Sequence, residues 1–103
     1  MKKNYYIYVW LNDKDTKKQE INTLEASKVA KNLACKLFGG ATIYECDGVY
    51  THDNWDIVVE KTLKIELLQC EFSPVVEFVK TLKTAFNQES ILVKSQVENC
   101  DFM

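Results

Sequence analysis

The stretch FGGATIYECDGVYTHDNWDIVVE, residues 38–60, holds all three glycines of the chain, and the sequence on either side of it follows plain helix or strand periodicity. Gly39 and Gly40 end an apolar helical pattern, where a residue lacking Cβ adopts the left-handed conformation at low cost. Ala41 to Cys46 then alternates, with Ala41, Ile43 and Glu45 on one face and Thr42, Tyr44 and Cys46 on the other, which is the period of a strand. Asp47-Gly48 signals a tight reversal or a bulge. Thr51-His52-Asp53-Asn54 has no apolar anchor, and Trp55 opens a β-branched run. The expected form is a bulged strand, a polar tip and a returning strand.

Working outward, residues 4–11 (NYYIYVWL) set Tyr6, Tyr8 and Trp10 against Tyr5, Ile7, Val9 and Leu11. Both faces are apolar or amphipathic, so this is expected to be a central strand. Residues 12–20 are a charged loop. Asn22 with Glu25 fits a capping box, and a helix is expected over residues 23–38, with Leu24, Ala26, Val29, Ala30, Leu33, Ala34 and Leu37 as its apolar stripe. Residues 55–70 read as one long strand with Leu63, Ile65 and Leu67 inward. Its earlier part, Ile57-Val58-Val59, is apolar on both sides and either crosses the core or meets another chain. Ser73-Pro74 reads as N-cap and first position of a second helix, with Val75, Val79, Leu82 and Phe86 buried and Asn87-Gln88-Glu89 ending it. Residues 90–98 alternate as a last strand.

The order strand, helix, strand, strand, helix, strand predicts an α+β fold in one domain over residues 1–103. It is a four-stranded antiparallel sheet with both helices on one face, the ferredoxin-like βαββαβ sandwich. The other sheet face then carries Tyr6, Tyr8 and Trp10, an apolar patch that calls for a homo-oligomer, dimer or higher.

A chain of 103 residues with 47% hydrophobic and 27% charged residues has the make-up of a soluble globular domain. All 13 basic residues are lysine, and without the guanidinium fork sequence-specific DNA binding is disfavoured. There is no membrane-spanning apolar run and no cleavable leader pattern, so a cytoplasmic location is expected. Cys35, Cys46, Cys70 and Cys100 match no redox or zinc spacing; they read as buried or half-buried free thiols, with Cys46, His52 and Cys70 a weak alternative metal set.

No nucleophile triad, dinucleotide fingerprint or Walker pattern occurs, so no catalytic residue, cofactor or metal is expected. His52 is the single histidine; it reads either as an exposed turn residue or as a base with Asp53 or Asp56. Tyr50, His52 and Trp55 flank donors and acceptors in a way that suits stacking on a base and bonding a ribose, or packing of a hairpin on a helix. Asn87 and Gln88 read as ligand contacts or as a plain helix end.

Four segments, LNDKDTKKQEI (11–21), GGATIYECDGVYTHD (39–53), LKIELL (63–68) and LKTAFNQESILV (82–93), resemble small phage- and prophage-encoded proteins, within them the Thoeris anti-defence sponges that hold a cyclic ADP-ribose signal without cleaving it. The resemblance implies a non-enzymatic protein of the bacterial host cytoplasm. It also implies an oligomer that holds a nucleotide-derived small-molecule signal at subunit junctions, through Tyr50, Thr51, Trp55, Phe86, Asn87 and Gln88. Such pockets use arginine against diphosphate; here Lys14, Lys17, Lys61 or backbone amides take that part. The alternative is a small phage protein that inhibits a host immune complex, such as a CRISPR nuclease, by direct contact. A small enzyme using His52 or a carboxylate is the third reading.

Overall fold

Asn22 begins the first helix as its side chain accepts a hydrogen bond from the Glu25 amide at 2.8 Å, so one of the orphan amides of the first turn is satisfied. The computed structural model describes residues 1–51 and 53–103. Its elements are β1 (Lys3–Trp10), α1 (Thr23–Phe38), β2 (Thr42–Thr51), β3 (Ile57–Cys70), α2 (Phe72–Ala85) and β4 (Leu92–Gln96). Gly39 stops α1 in the left-handed conformation, φ 79°, with its amide bonded to the Cys35 carbonyl.

The sheet order is β2-β3-β1-β4, antiparallel throughout, with the two helices over one face, as the sequence pattern predicts. Tyr5, Ile7, Val9 and Leu11 of β1 and Leu63, Ile65 and Leu67 of β3 join Ala26, Ala30 and Ala34 of α1 and Val75, Phe78 and Leu82 of α2 in a single core. The three alanines at helical spacing bring α1 close to the strands. Phe38 and Phe78 meet edge to face, centroids 5.5 Å apart. Near the start of β1 the register with β3 shifts. There the buried Asn4 accepts from the Gln69 amide at 2.9 Å, and Gln69 takes a left-handed φ of 54°.

Three local expectations give way. Asp47-Gly48 is neither a reversal nor a bulge: β2 runs through it in unbroken register, with Asp47 opposite Lys61 and Gly48 opposite Glu60. The glycine is there for space, since a Cβ at this position would lie 2.7 Å from the Trp10 indole nitrogen. Ser73 is not the cap of α2, which starts at Phe72 with Glu71 in the cap position and no side-chain cap bond. Pro74 therefore sits inside the first turn, where no amide is required. Two of the four free cysteines, Cys35 and Cys46, are exposed, Cys100 is half-buried and Cys70 is buried; burial pushes the Cys70 thiol up from its ordinary pKa.

β2 and β3 continue their ladder beyond the end of β1. Trp10 pairs with Thr62, whereas the β2–β3 ladder runs on to Thr51 opposite Ile57. Residues 47–51 and 57–61 thus form a two-stranded arm that projects from the layered body, in keeping with principal extents of 47 × 24 × 23 Å. Val49, Ile57 and Val59 on this arm are 64%, 72% and 57% exposed. On the helix-free face, Tyr6 and Tyr8 are only half-buried, and the Lys64 ammonium lies 5.6–6.0 Å from the ring centroids of Tyr6, Tyr8 and Tyr44. Much of the aromatic patch is therefore covered by this chain's own lysine. No described helix is long and apolar enough to cross a membrane.

Candidate functional site

At one end of the sheet, the ends of β1 and β2 and the starts of β3 and β4 converge with the β1–α1 and α2–β4 connections. Between them lies an open cleft of about 210 Å³ whose walls include Trp10, Tyr50, Glu60, Lys14, Lys17 and Gln88. Trp10, Tyr50 and Glu60 come from adjacent strands on the helix-free face, a placement set by the register in which Trp10 faces Thr62 and Gly48 faces Glu60. The Glu60 carboxylate accepts from the Asn12 amide at 3.0 Å, which ties β3 to the loop carrying the lysines.

That loop is ordered. Asn12 and Gln19 form a bridge, and the Asp13 amide donates to the Lys18 carbonyl at 2.8 Å. The Asp13 carboxylate accepts from the amides of Asp15 and Thr16. The α2–β4 connection grips the loop from the other side: Gln88 donates from its side chain to the Asn12 carbonyl at 2.8 Å, and the Asn87 amide group donates to Asp13 at 3.0 Å and to Asp15 at 2.8 Å. The Asn87 amide, followed by the Thr16 and Asp15 backbone amides, holds the Asp13 carboxyl below its usual range.

Of the six residues expected to bind a ligand, the fold brings Tyr50 and Gln88 into the cleft wall. Asn87 stands behind it, bonded to the loop. Phe86 is 4% exposed and belongs to the core. Thr51 ends β2, where strand alternation sets it on the opposite face from Tyr50. Trp55 lies at the arm's turn with φ 67° and 85% of its surface exposed. His52 lies outside the described residues. Cys46 pairs with Thr62, eight residues from Cys70 along β3, or about 26 Å at 3.3 Å per residue; these two thiols do not share a site. Among the described residues no cluster of three or more His, Cys, Asp or Glu is placed to hold a metal.

Lys14 and Lys17, expected to face an anionic group, do line the cleft, whereas Trp10 and Glu60 acquire their position there only through topology. A βαββαβ chain puts the ends of its first and second strands and the start of its third at one edge, and that inference was the available signal for them.

No protein-family profile matches the chain, and no curated protein matches it. Solved structures do. A phage SAM lyase in complex with S-methyl-5'-thioadenosine is similar with a TM-score of 0.69 and 23% identity, over 93% of this chain and 81% of that one. A phage SAM lyase in its apo state gives 0.65 and 22%, over 91% and 78%. The periplasmic divalent cation tolerance protein CutA from Archaeoglobus fulgidus gives 0.61 and 14%, over 99% and 88%. At these identities the likeness shows a shared fold. It also corrects the expectation of a protein that is not an enzyme, because the backbone is one on which an enzyme, phage SAM lyase, is built.

Proposed function

We propose that this chain is a lyase that cleaves S-adenosylmethionine (SAM) to S-methyl-5'-thioadenosine. The observation that carries the reading is the make-up of the cleft, which sets two aromatic side chains, three carboxylates (Asp13, Glu60 and Glu89) and two lysines together on a backbone similar to that of phage SAM lyase. Tyr50 and Trp10 offer faces to adenine or to the sulfonium, Glu60 offers an acceptor to the α-ammonium, and Lys14 and Lys17 offer donors to the carboxylate.

The chemistry asks little of the protein. If the substrate's own α-carboxylate oxygen attacks Cγ, the Cγ–S bond breaks with its electron pair passing to sulfur. The products are the neutral thioether and a five-membered lactone that keeps the ammonium. No proton changes hands. A carboxylate and a sulfonium disappear together, so excluding water from the pair lowers the barrier. The cleft of one protomer is open, and closing it is a task for a second copy. The exposed Val49, Ile57 and Val59 of the arm give such a copy an apolar surface to cover. The place of action is then the cytoplasm of a phage-infected bacterium. The sponge and the inhibitor of a host immune complex rest on the sequence resemblance alone, and the solved structures add nothing to them.

The test is incubation of the purified protein with SAM and mass spectrometry of the products. Thioadenosine and lactone are expected in equal amounts, with turnover lowered at least about tenfold in Glu60→Gln, the effect of one lost charged contact. An intact substrate after prolonged incubation with assembled protein overturns the proposal, and tight retention of uncleaved cyclic ADP-ribose by the same sample would favour the sponge instead.

A further inference from the structure

We propose that Asn87 is a positioning residue that fixes the β1–α1 loop so that Lys14 and Lys17 receive the carboxylate end of the substrate; this rests on the lyase reading and assigns the amino-acid end of its site. Both hydrogens of the Asn87 amide group are used, one on Asp13 at 3.0 Å and one on Asp15 at 2.8 Å. Its main-chain carbonyl accepts from the Lys14 amide at 3.1 Å. Three consecutive loop residues are therefore held by one residue of the α2–β4 connection. Asn87 does this from a left-handed backbone, φ 48°, which asparagine tolerates better than most residues.

The consequence is a sorting of charge. The loop sequence Asp13-Lys14-Asp15-Thr16-Lys17 mixes signs and in a mobile loop would present no net preference to a small ion. Asp13, Glu60 and Glu89 share the cleft wall with Lys14 and Lys17, but the Asp13 carboxylate is taken up by the Asn87 side chain and the Asp15 and Thr16 amides, which leaves the two lysines as the groups that meet an anion. A neutral donor is suited to this task, since a lysine at 87 would add a further charge beside the site. The nucleoside half of the substrate lies with Tyr50 and Trp10, on strands that Asn87 does not touch. Asn87 thus governs recognition of the amino-acid half alone.

The experiment compares SAM with S-methyl-5'-thioadenosine, which lacks that half. Asn87→Gly keeps the left-handed backbone and removes the amide. It is expected to raise KM for SAM about tenfold, the size of one lost charge-assisted contact, to leave kcat within about twofold, and to leave the affinity for the thioadenosine unchanged. Asn87→Asp, which sets a third carboxylate against the other two, is expected to do more harm. Adding Asp15→Asn to it restores a donor and acceptor pair and recovers part of the KM. Lys14→Ala with Lys17→Ala, on the exposed loop, should give the same split between the two ligands. Equal losses for both ligands, or an unchanged KM in either the Asn87→Gly or the double-lysine variant, overturn the inference and leave the lyase reading in place. A wild-type protein that neither cleaves SAM nor binds the thioadenosine overturns both.

Discussion

The two halves of β3 carry the same kind of side chain on the same face and meet opposite fates. Leu63, Ile65 and Leu67 are sealed under the helices, while Ile57 and Val59, in step with them along the strand, stand largely in solvent. Hydrophobic alternation therefore reports which way a residue points, and the helices decide whether pointing that way means burial. Two helices of 16 and 14 residues cannot cover a strand of 14 residues together with the hairpin that extends it. The uncovered remainder is the arm.

The largest effect is expected where the cover is complete. Leu63→Ala should lose about 2–5 kcal/mol of stability through lost burial and the cavity left behind, measured as the shift of the urea midpoint; a loss below 1 kcal/mol would mean that the body is no better packed than the arm. At the junction of the two regions, Gly48→Ala forces its Cβ against the Trp10 indole. It should cost about 1–3 kcal/mol by overpacking, and it should also weaken ligand binding because Trp10 lines the cleft. On the arm itself, Val59→Asp should change the stability of the dilute chain by less than about 0.5 kcal/mol yet shift sedimentation toward the smaller species at high concentration. A destabilisation as large as that of Leu63→Ala would instead make the arm part of a permanent core shared between copies.

The smallest effect concerns acid. The Asp13 carboxyl is held below its usual range by Asn87 and two backbone amides. Its contribution to stability is therefore complete above the ordinary aspartate pKa, about 3.9, and declines as pH falls through the lowered folded value. Wild type should lose stability more steeply than Asn87→Gly on acidification below about pH 4, in parallel urea titrations. Identical slopes would mean that the clasp contributes nothing to folding.

These contrasts separate what the sequence could disclose from what it could not. The capping of α1 by Asn22, its stop at Gly39 and the inward set of β1 are local events, each settled within a few residues, and all were legible. Gly48 was misread because its role depends on Trp10, a residue 38 positions away that the sheet register brings beneath it. Phe86 was expected both in the buried stripe of the second helix and, through the resemblance, as a ligand contact; its place in the core keeps the first reading and removes the second. The cleft itself was half legible. Tyr50 and Gln88 carry a local signature, aromatic or amide in a polar turn, whereas Glu60 looks like any strand residue until β1 ends beside it. The function assigned from resemblance went further than any of these residues could carry it.

The unequal cover of β3 also leaves the two tryptophans in unlike surroundings, Trp10 half-buried against Gly48 at the cleft and Trp55 out at the arm's turn. Each indole is then a built-in optical reporter for a different event. If the proposed ligand enters the cleft, quenching or a blue shift from Trp10 would follow it, and if copies meet through the arm, a blue shift from Trp55 would follow that. With one or the other replaced by phenylalanine, the emission of an otherwise unlabelled protein would time the two events separately and tell which comes first.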